Sequence, residues 1–323
     1  MPLSDTASGA LRAGTAMTML GCSTAVSAAF AGYPLLGGQA VRYLLAAVLL
    51  VPVALRSGPR GVRPTRRELG RLALVAATGL FAFNVLLVQA VRHSGPAAVG
   101  SVVGASPLLL AVLGPALVRR RPHGRTVAAA VVVAAGAAVA QGLGGGGAAG
   151  TWYALGTLGC EAAFSLLAVP LLPRLGPVGV SAWVTVLAVP MFAVTAAVRD
   201  GRAALRAPTG AELAALLYLA VVMTVVAFLL WYGALGRLGP ERAGLFAGLV
   251  PITSALAAAV LGTGAPRAGE VAGALLVGAG VVLGVRGPSR TAAPAPDPAQ
   301  DSAQAQAQAD GPERARAAAP AVP

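Results

Sequence analysis

Between Gly95 and Pro107 the sequence reads GPAAVGSVVGASP: a Gly-Pro step, two glycines four apart at Gly100 and Gly104, and a proline three residues later. Glycine and proline weaken a helix in water more than any other residues, yet apolar runs flank this stretch on both sides. A second copy explains it. Shifted by 144 residues, GPERAGLFAGLVP at Gly239–Pro251 falls under the first stretch. Gly95, Pro96, Gly100, Gly104 and Pro107 then match Gly239, Pro240, Gly244, Gly248 and Pro251 without a gap, and Pro122 and Gly136 match Pro266 and Gly280. A second register, of 138 residues, places Leu20–Cys22 over Leu158–Cys160, both reading LGC, and Pro52 over Pro190. The chain is an internal repeat.

Composition identifies the solvent. Of 323 residues, 57% are hydrophobic and 11% charged, against about 25% charged in an ordinary soluble domain. Apolar runs long enough to cross a bilayer as a helix recur along almost the whole chain. Breaking them at arginines, prolines and glycines predicts ten spans, near 13–32, 35–55, 72–92, 96–118, 126–143, 151–172, 177–198, 212–234, 241–262 and 268–286. In lipid the glycines acquire a purpose: small residues four apart let helix backbones approach closely. Gly100, Gly104, Gly244 and Gly248 are therefore read as packing or gating positions. Pro107 and Pro251 are read as kinks whose freed carbonyls neighbouring helices can satisfy.

The charge balance of +13 comes from 24 basic residues, all arginines. They cluster in short connectors such as 56–71 and 119–125, the distribution that orients helices during insertion rather than the face of a nucleic-acid binder. The arginine-only, Ala-, Gly- and Val-heavy usage points to a bacterial inner-membrane protein, and the distribution predicts that both termini are cytoplasmic. The connector 199–211 stands against this, since it puts Arg199, Arg202 and Arg206 on the outer side. The first apolar run follows Arg12 as in a signal peptide, but further spans follow directly, so it is read as a retained helix. The Ala-, Pro- and Gln-rich tail from 287 lacks periodicity and is expected to be disordered.

Five spans per copy is an odd number, so the second copy enters the membrane upside down. The expected fold is an all-α membrane protein of ten transmembrane helices in two inverted five-helix repeats, at 13–143 and 151–286, with a cytoplasmic tail at 1–12. Inverted repeats of this kind are a transporter architecture, with a site near the midplane where the halves meet.

The chain resembles the EamA-type transporters of the drug/metabolite transporter superfamily, a ten-helix family of two inverted five-helix units. The resemblance is carried by AVRYLLAAVLL in the second span, with Arg42 near its start, and by VQAVRHSGPAA and WYGALGRLGPERA leading out of the third and eighth. ASPLLLAVLG and LVPITSALAAAVLG, each turning on a proline, carry it through the fourth and ninth. Arg119 and Thr263 stand where the family usually has a glutamate, and the tryptophan frequent at the start of its first helix is absent. The resemblance implies export of small metabolites by alternating access.

Candidate site residues follow from what does not belong in lipid. Glu161 is the one acidic residue well inside a predicted span, and such groups usually serve a cavity; it suits a proton or a substrate amine. Arg42 could pair with Glu161, bind a substrate carboxylate, or snorkel to the headgroups. Asn84 and Gln89 in the third span, with Trp231 and Tyr232 in the eighth, suit a pocket for a small organic molecule. Trp231 and Tyr232 also suit an interfacial belt. Gly145, Gly147 and Gly150 match a dinucleotide-binding spacing but join two spans without the strand that motif needs. No metal cluster, cofactor motif or Walker lysine is present. The expected partners are a small-molecule substrate, the bilayer, a proton as coupling ion and a second copy of the chain. An exchanger of phosphorylated or nucleotide-linked sugars, a lipid-modifying enzyme and a non-transporting membrane protein remain as alternatives.

Overall fold

The structure is a computed structural model that describes residues 4–29, 32–56, 63–117, 119–142, 147–260 and 267–285. The tail from 287, Gly145 and Thr263 lie outside them. Every regular element among the described residues is helical. In chain order these are α1 (Asp5–Ala29), α2 (Leu35–Arg56), α3 (Arg66–Val75), α4 (Phe83–Val103), α5 (Ser106–Leu117) and α6 (Gly124–Gln141). They are followed by α7 (Ala148–Leu166), α8 (Leu172–Asp200), α9 (Gly210–Tyr218), α10 (Ala227–Leu245), α11 (Leu249–Val260) and α12 (Ala268–Val285).

The repeat read in the sequence is present in the backbone to fine detail. α12 begins and ends 144 residues after α6. A π-helical segment, Ala76–Ala82, joins α3 to α4, and another, Leu219–Val226, joins α9 to α10. Gly95 and Gly239 break their helices with nearly identical dihedrals, φ 75°, ψ 162° and φ 74°, ψ 163°. Positive φ is inexpensive only for glycine, which is why this residue type begins both copies of the opening stretch.

The four expected packing glycines do bring helices close. A Cβ on Gly100 would lie 2.7 Å from the Gln141 side chain, and one on Gly104 3.0 Å from Ala137 Cβ. On Gly248 it would lie 2.4 Å from Val133 Cγ1, and on Gly244 2.8 Å from Leu110 Cδ1. The prolines act differently from expectation. The fourth span is interrupted by a turn at Gly104–Ala105 and the ninth by a 3-10 turn at Phe246–Gly248. Pro107 and Pro251 then fall in the first turns of the new helices, where a missing N–H costs nothing because it would have no helical partner. They start helices rather than kink them.

Seven helical stretches among the described residues are long and apolar enough to cross a membrane. Two of them, Ala148–Ala204 and Gly210–Val260, run 57 and 51 residues. At 1.5 Å per residue each exceeds about twice the hydrocarbon thickness, and glycine breaks at Gly176 and Gly239 divide them. α1 is not among the seven; Asp5, Arg12 and a scatter of Ser, Thr and Gly dilute its apolar content.

α6 and α12 pack along a glycine seam. Gly136 abuts Gly273 and Val277, while Gly280 abuts Ala129 and Val133, so the contacts run in opposite chain directions and the two helices are antiparallel. The largest apolar cluster gathers Tyr43 from α2, Leu72 and Val75 from α3, Leu80, Phe192 from α8, and Trp231 and Tyr232 from α10. Tyr43 stacks on Phe192 with centroids 5.4 Å apart, and Phe81 meets the same ring at 5.0 Å.

Candidate functional site

The two π segments shape the site. A π turn lets an i−5 contact replace the regular ladder and leaves a carbonyl for a side chain, and such turns concentrate at functional sites. In the first half Asn84, two residues past the segment, donates from Nδ2 to the Leu80 carbonyl at 2.7 Å. In the second, Thr224 donates from Oγ1 to the Leu219 carbonyl at 2.9 Å. Thr224 is the counterpart of Leu80 under the 144-residue shift, so matched positions of the two halves face the same centre.

Arg42 joins them. Its Nε donates to Thr224 Oγ1 at 2.8 Å, its Nη1 to Gln39 Oε1 at 3.3 Å, and its guanidinium lies 5.2 Å from the Tyr43 ring centroid. Gln39 donates in turn from Nε2 to Asn84 Oδ1 at 3.1 Å, and Asn84 reaches the Tyr43 hydroxyl at 3.4 Å. Gln39, Tyr43 and Thr224 are all buried. Arg42 thus binds inward, not to the headgroups, and makes no ion pair with Glu161 among the described residues. Its guanidinium carries five donors, so the two bonds to Thr224 and Gln39 leave capacity for an acceptor.

A second group of polar atoms lies on α7 and α10. The Glu161 carboxyl faces the Ser106 hydroxyl at the start of α5, and its Oε2 is buried without a hydrogen-bond partner among the described residues. One turn further along α7, Phe164 lies 5.1 Å from both Phe228 and Tyr232. Tyr232 is fully enclosed and its hydroxyl also lacks a partner among the described residues. Trp231 donates from Nε1 to Ser165 Oγ at 3.2 Å. Both aromatic residues are therefore interior, which removes the interfacial-belt reading. Tyr43 and Tyr232 belong to the same buried cluster, which both polar groups adjoin.

Of the residues the sequence nominated, the structure gathers Arg42 and Asn84 in one network and Glu161, Trp231 and Tyr232 in the neighbouring one. Gln89 is half-buried farther along α4 and outside both; its carbonyl lies 2.8 Å from His93 Nδ1. Gln39, Tyr43, Thr224 and Ser106 were not anticipated. Gln39 and Tyr43 were within reach of a helical reading, since Gln39 sits three residues from Arg42 on the same face. Thr224 comes from the other half and carries no such mark. Among the described residues no group of His, Cys, Asp and Glu is placed to hold a metal ion.

The sequence pattern of the EamA-like transporter family matches residues 7–141 and 148–286, one match per repeat. A protein of Bacillus subtilis described as "Uncharacterized transporter YetK" is 24% identical over 255 residues, covering 76% of this chain and 77% of its own. A "Probable terminal-alkyne amino-acid exporter" of Streptantibioticus cattleyicolor is 29% identical over 277 residues, covering 83% of this chain and 90% of its own. A solved structure titled only as a crystal structure of a protein superposes with a TM-score of 0.72 at 20% identity, over 85% of this chain and 96% of the other. That likeness concerns the fold alone.

Proposed function

We propose, from the premise that the chain belongs to the EamA-like transporter family, that it is a secondary transporter exporting small organic solutes across the inner membrane. Ten crossings are counted when the two long stretches are each taken as two spans and α1 is added to the seven. The antiparallel seam between α6 and its own counterpart α12 supports an inverted relation of the halves, and alternating access is how inverted halves move a solute past a central site. The arginine-rich connectors support cytoplasmic termini.

One observation carries the reading: a carboxylate within an apolar, membrane-length helical stretch, Glu161, with a buried oxygen that has no hydrogen-bond partner among the described residues. Such a group is too costly in lipid to be idle. It takes a proton or a substrate ammonium, and Ser106 orients it. Arg42, held by Thr224 and Gln39, supplies the opposite charge for a carboxylate, and the Phe164, Phe228 and Tyr232 rings accept an apolar side group. The ensemble suits an amino acid or a related zwitterion. The Streptantibioticus relative, described as an amino-acid exporter, supports this class and the outward direction. A carrier of phosphorylated sugars needs several cations at the site, and Arg42 is the single arginine in this network.

The test is counterflow. Proteoliposomes loaded with a mixture of unlabelled amino acids, including a terminal-alkyne one, are diluted into trace radiolabelled amino acids. Transient accumulation of at least one label above empty liposomes is expected. No accumulation of any amino acid counts against this substrate class.

A further inference from the structure

The halves repeat in sequence but differ in packing. Under the 144-residue shift α4 and α5 correspond to α10 and α11, so a symmetric molecule would seat α11 on α4 as it seats α5 on α10. It does neither equally. A Cβ on Gly114 of α5 would lie 3.0 Å from Pro240 Cγ and 3.3 Å from Glu241 Cγ, and one on Gly244 would lie 3.0 Å from Leu110 Cβ. At the matching place in the other pair, Gly100 is the counterpart of Gly244 and Ser254 that of Leu110. There Gly100 meets the Gln141 side chain of α6 most closely, and α11 forms no seam with α4 comparable to that of α5 with α10.

Two further observations agree. Leu110, Ala111 and Gly114 are among the buried residues of α5, whereas α11 has none. In α1, a Cβ on Gly21 would fall 1.8 Å from Thr253 Oγ1, while its counterpart Gly159 in α7 has open space around it. α11 is drawn onto α1 and away from α4; α5 is drawn onto α10 and meets α7 over a shorter stretch than α11 meets α1, with Leu110 packed on Ala162 and Leu166.

We propose that Leu110, Gly114, Pro240 and Gly244 form a gate, shut in this structure, at the end of the molecule that carries the Gly239 turn and the 119–123 connector. The matching gate around Gly100 and Ser254 is the one standing open. This rests on the transporter reading above. The glycines make the shut state possible, because only a residue without a side chain lets the two interrupted helices touch so closely. Exchange of the two arrangements between the halves then produces the opposite state. The shut gate also carries a charge. Glu241, against Gly114, has the cations His123 and Arg120 of the α5–α6 connector and Arg242 in its surroundings, whereas the residue at the matching position is Ala97.

Two disulfide pairs test this in protein whose Cys22 and Cys160 are replaced by serine. Leu110→Cys with Gly244→Cys places Cβ atoms slightly closer than the roughly 3.5–4.5 Å a disulfide spans, so a small relaxation suffices. Gly100→Cys with Ser254→Cys is the matching pair. Under mild oxidation the first is expected to form at least tenfold faster than the second. Its formation should abolish amino-acid counterflow, with recovery on adding dithiothreitol. Where the first pair does not give folded protein, Gly114→Cys with Pro240→Cys replaces it. Equal rates for the two pairs, a faster second pair, or flux that survives the first disulfide overturns the proposal. Absence of flux in the reduced protein and the parent alike counts against the transporter reading, and the ratio of the two rates then decides the gate geometry independently.

Discussion

Gly273 and Gly278 stand five residues apart on α12, and the structure assigns opposite outcomes to the same substitution. A Cβ on Gly273 would meet the Gly136 carbonyl oxygen at 2.5 Å and the Ala140 backbone nitrogen at 2.7 Å, whereas one on Gly278 would meet nothing within 4 Å. The neighbours of Gly273 are backbone and cannot rotate away, so Gly273→Ala must push α6 and α12 apart by about half an ångström along the seam. Overpacking of this kind costs about 1–3 kcal/mol, from which the helix-forming gain of alanine over glycine, about 0.5–1 kcal/mol, is subtracted. The net cost is about 1–2 kcal/mol, or a fall of roughly 1.5–3 °C in Tm for a chain of this size. Gly278→Ala has only the gain and should match or slightly exceed the parent. Thermal unfolding of purified protein in detergent, followed by tryptophan fluorescence, measures both. Equal melting of the two variants would refute the seam as described.

Other outcomes follow from the same geometry. Tyr232→Phe removes a buried hydroxyl that has no partner among the described residues; since an unsatisfied buried group costs about 1–3 kcal/mol, Tm should hold or rise, while counterflow falls if that hydroxyl meets the substrate. Arg42→Lys keeps the charge but loses the planar fork that reaches Thr224 and Gln39 together, and should cut flux at least tenfold with Tm nearly unchanged. Thr65→Ala and Thr209→Ala each remove the side chain that accepts from the N3 backbone N–H at the start of α3 or α9. Each should cost about 1 kcal/mol, and the double variant should show the sum, read as additive Tm shifts.

Much of this architecture was legible because glycine and proline leave marks in sequence that helices of alanine and valine do not. Gly95 and Gly239 announced a repeated break, and the shift they set also places α6 over α12. A second signature at the same shift went unread. Thr65 and Glu68, and Thr209 and Glu212, both form capping boxes, and their recurrence 144 residues apart marks the same helix start in each half. The π segments were invisible, since a change from i−4 to i−5 bonding alters backbone register without demanding a particular residue. The interruption at Gly104–Ala105 was hidden for a similar reason: Pro107 was read as the bend, although it only begins the next helix.

The awkward arginines of the 199–211 connector are partly accounted for. Arg206 is paired with Glu212, donates to the Gly32 carbonyl at 3.3 Å and lies 5.0 Å from the Tyr33 ring centroid, so its charge is spoken for locally. The Arg174–Glu68 pair similarly ties the start of α8 to the start of α3. At the site, the lone buried acid and the arginine of the second span stood out by composition, because each is out of place in lipid. Their partners did not. Arg42 was paired on paper with Glu161 by charge, yet it bonds to Thr224, an ordinary residue of an apolar run that reaches it only through the fold.

The most direct measurement is amino-acid flux in proteoliposomes, with and without a pH gradient, for the parent protein and for Glu161→Gln. The account predicts flux driven by the gradient in the parent, and loss of that driving in the variant with folding intact by size-exclusion chromatography. Gradient-driven flux that is unchanged in Glu161→Gln would contradict the central claim and reduce Glu161 to a structural group.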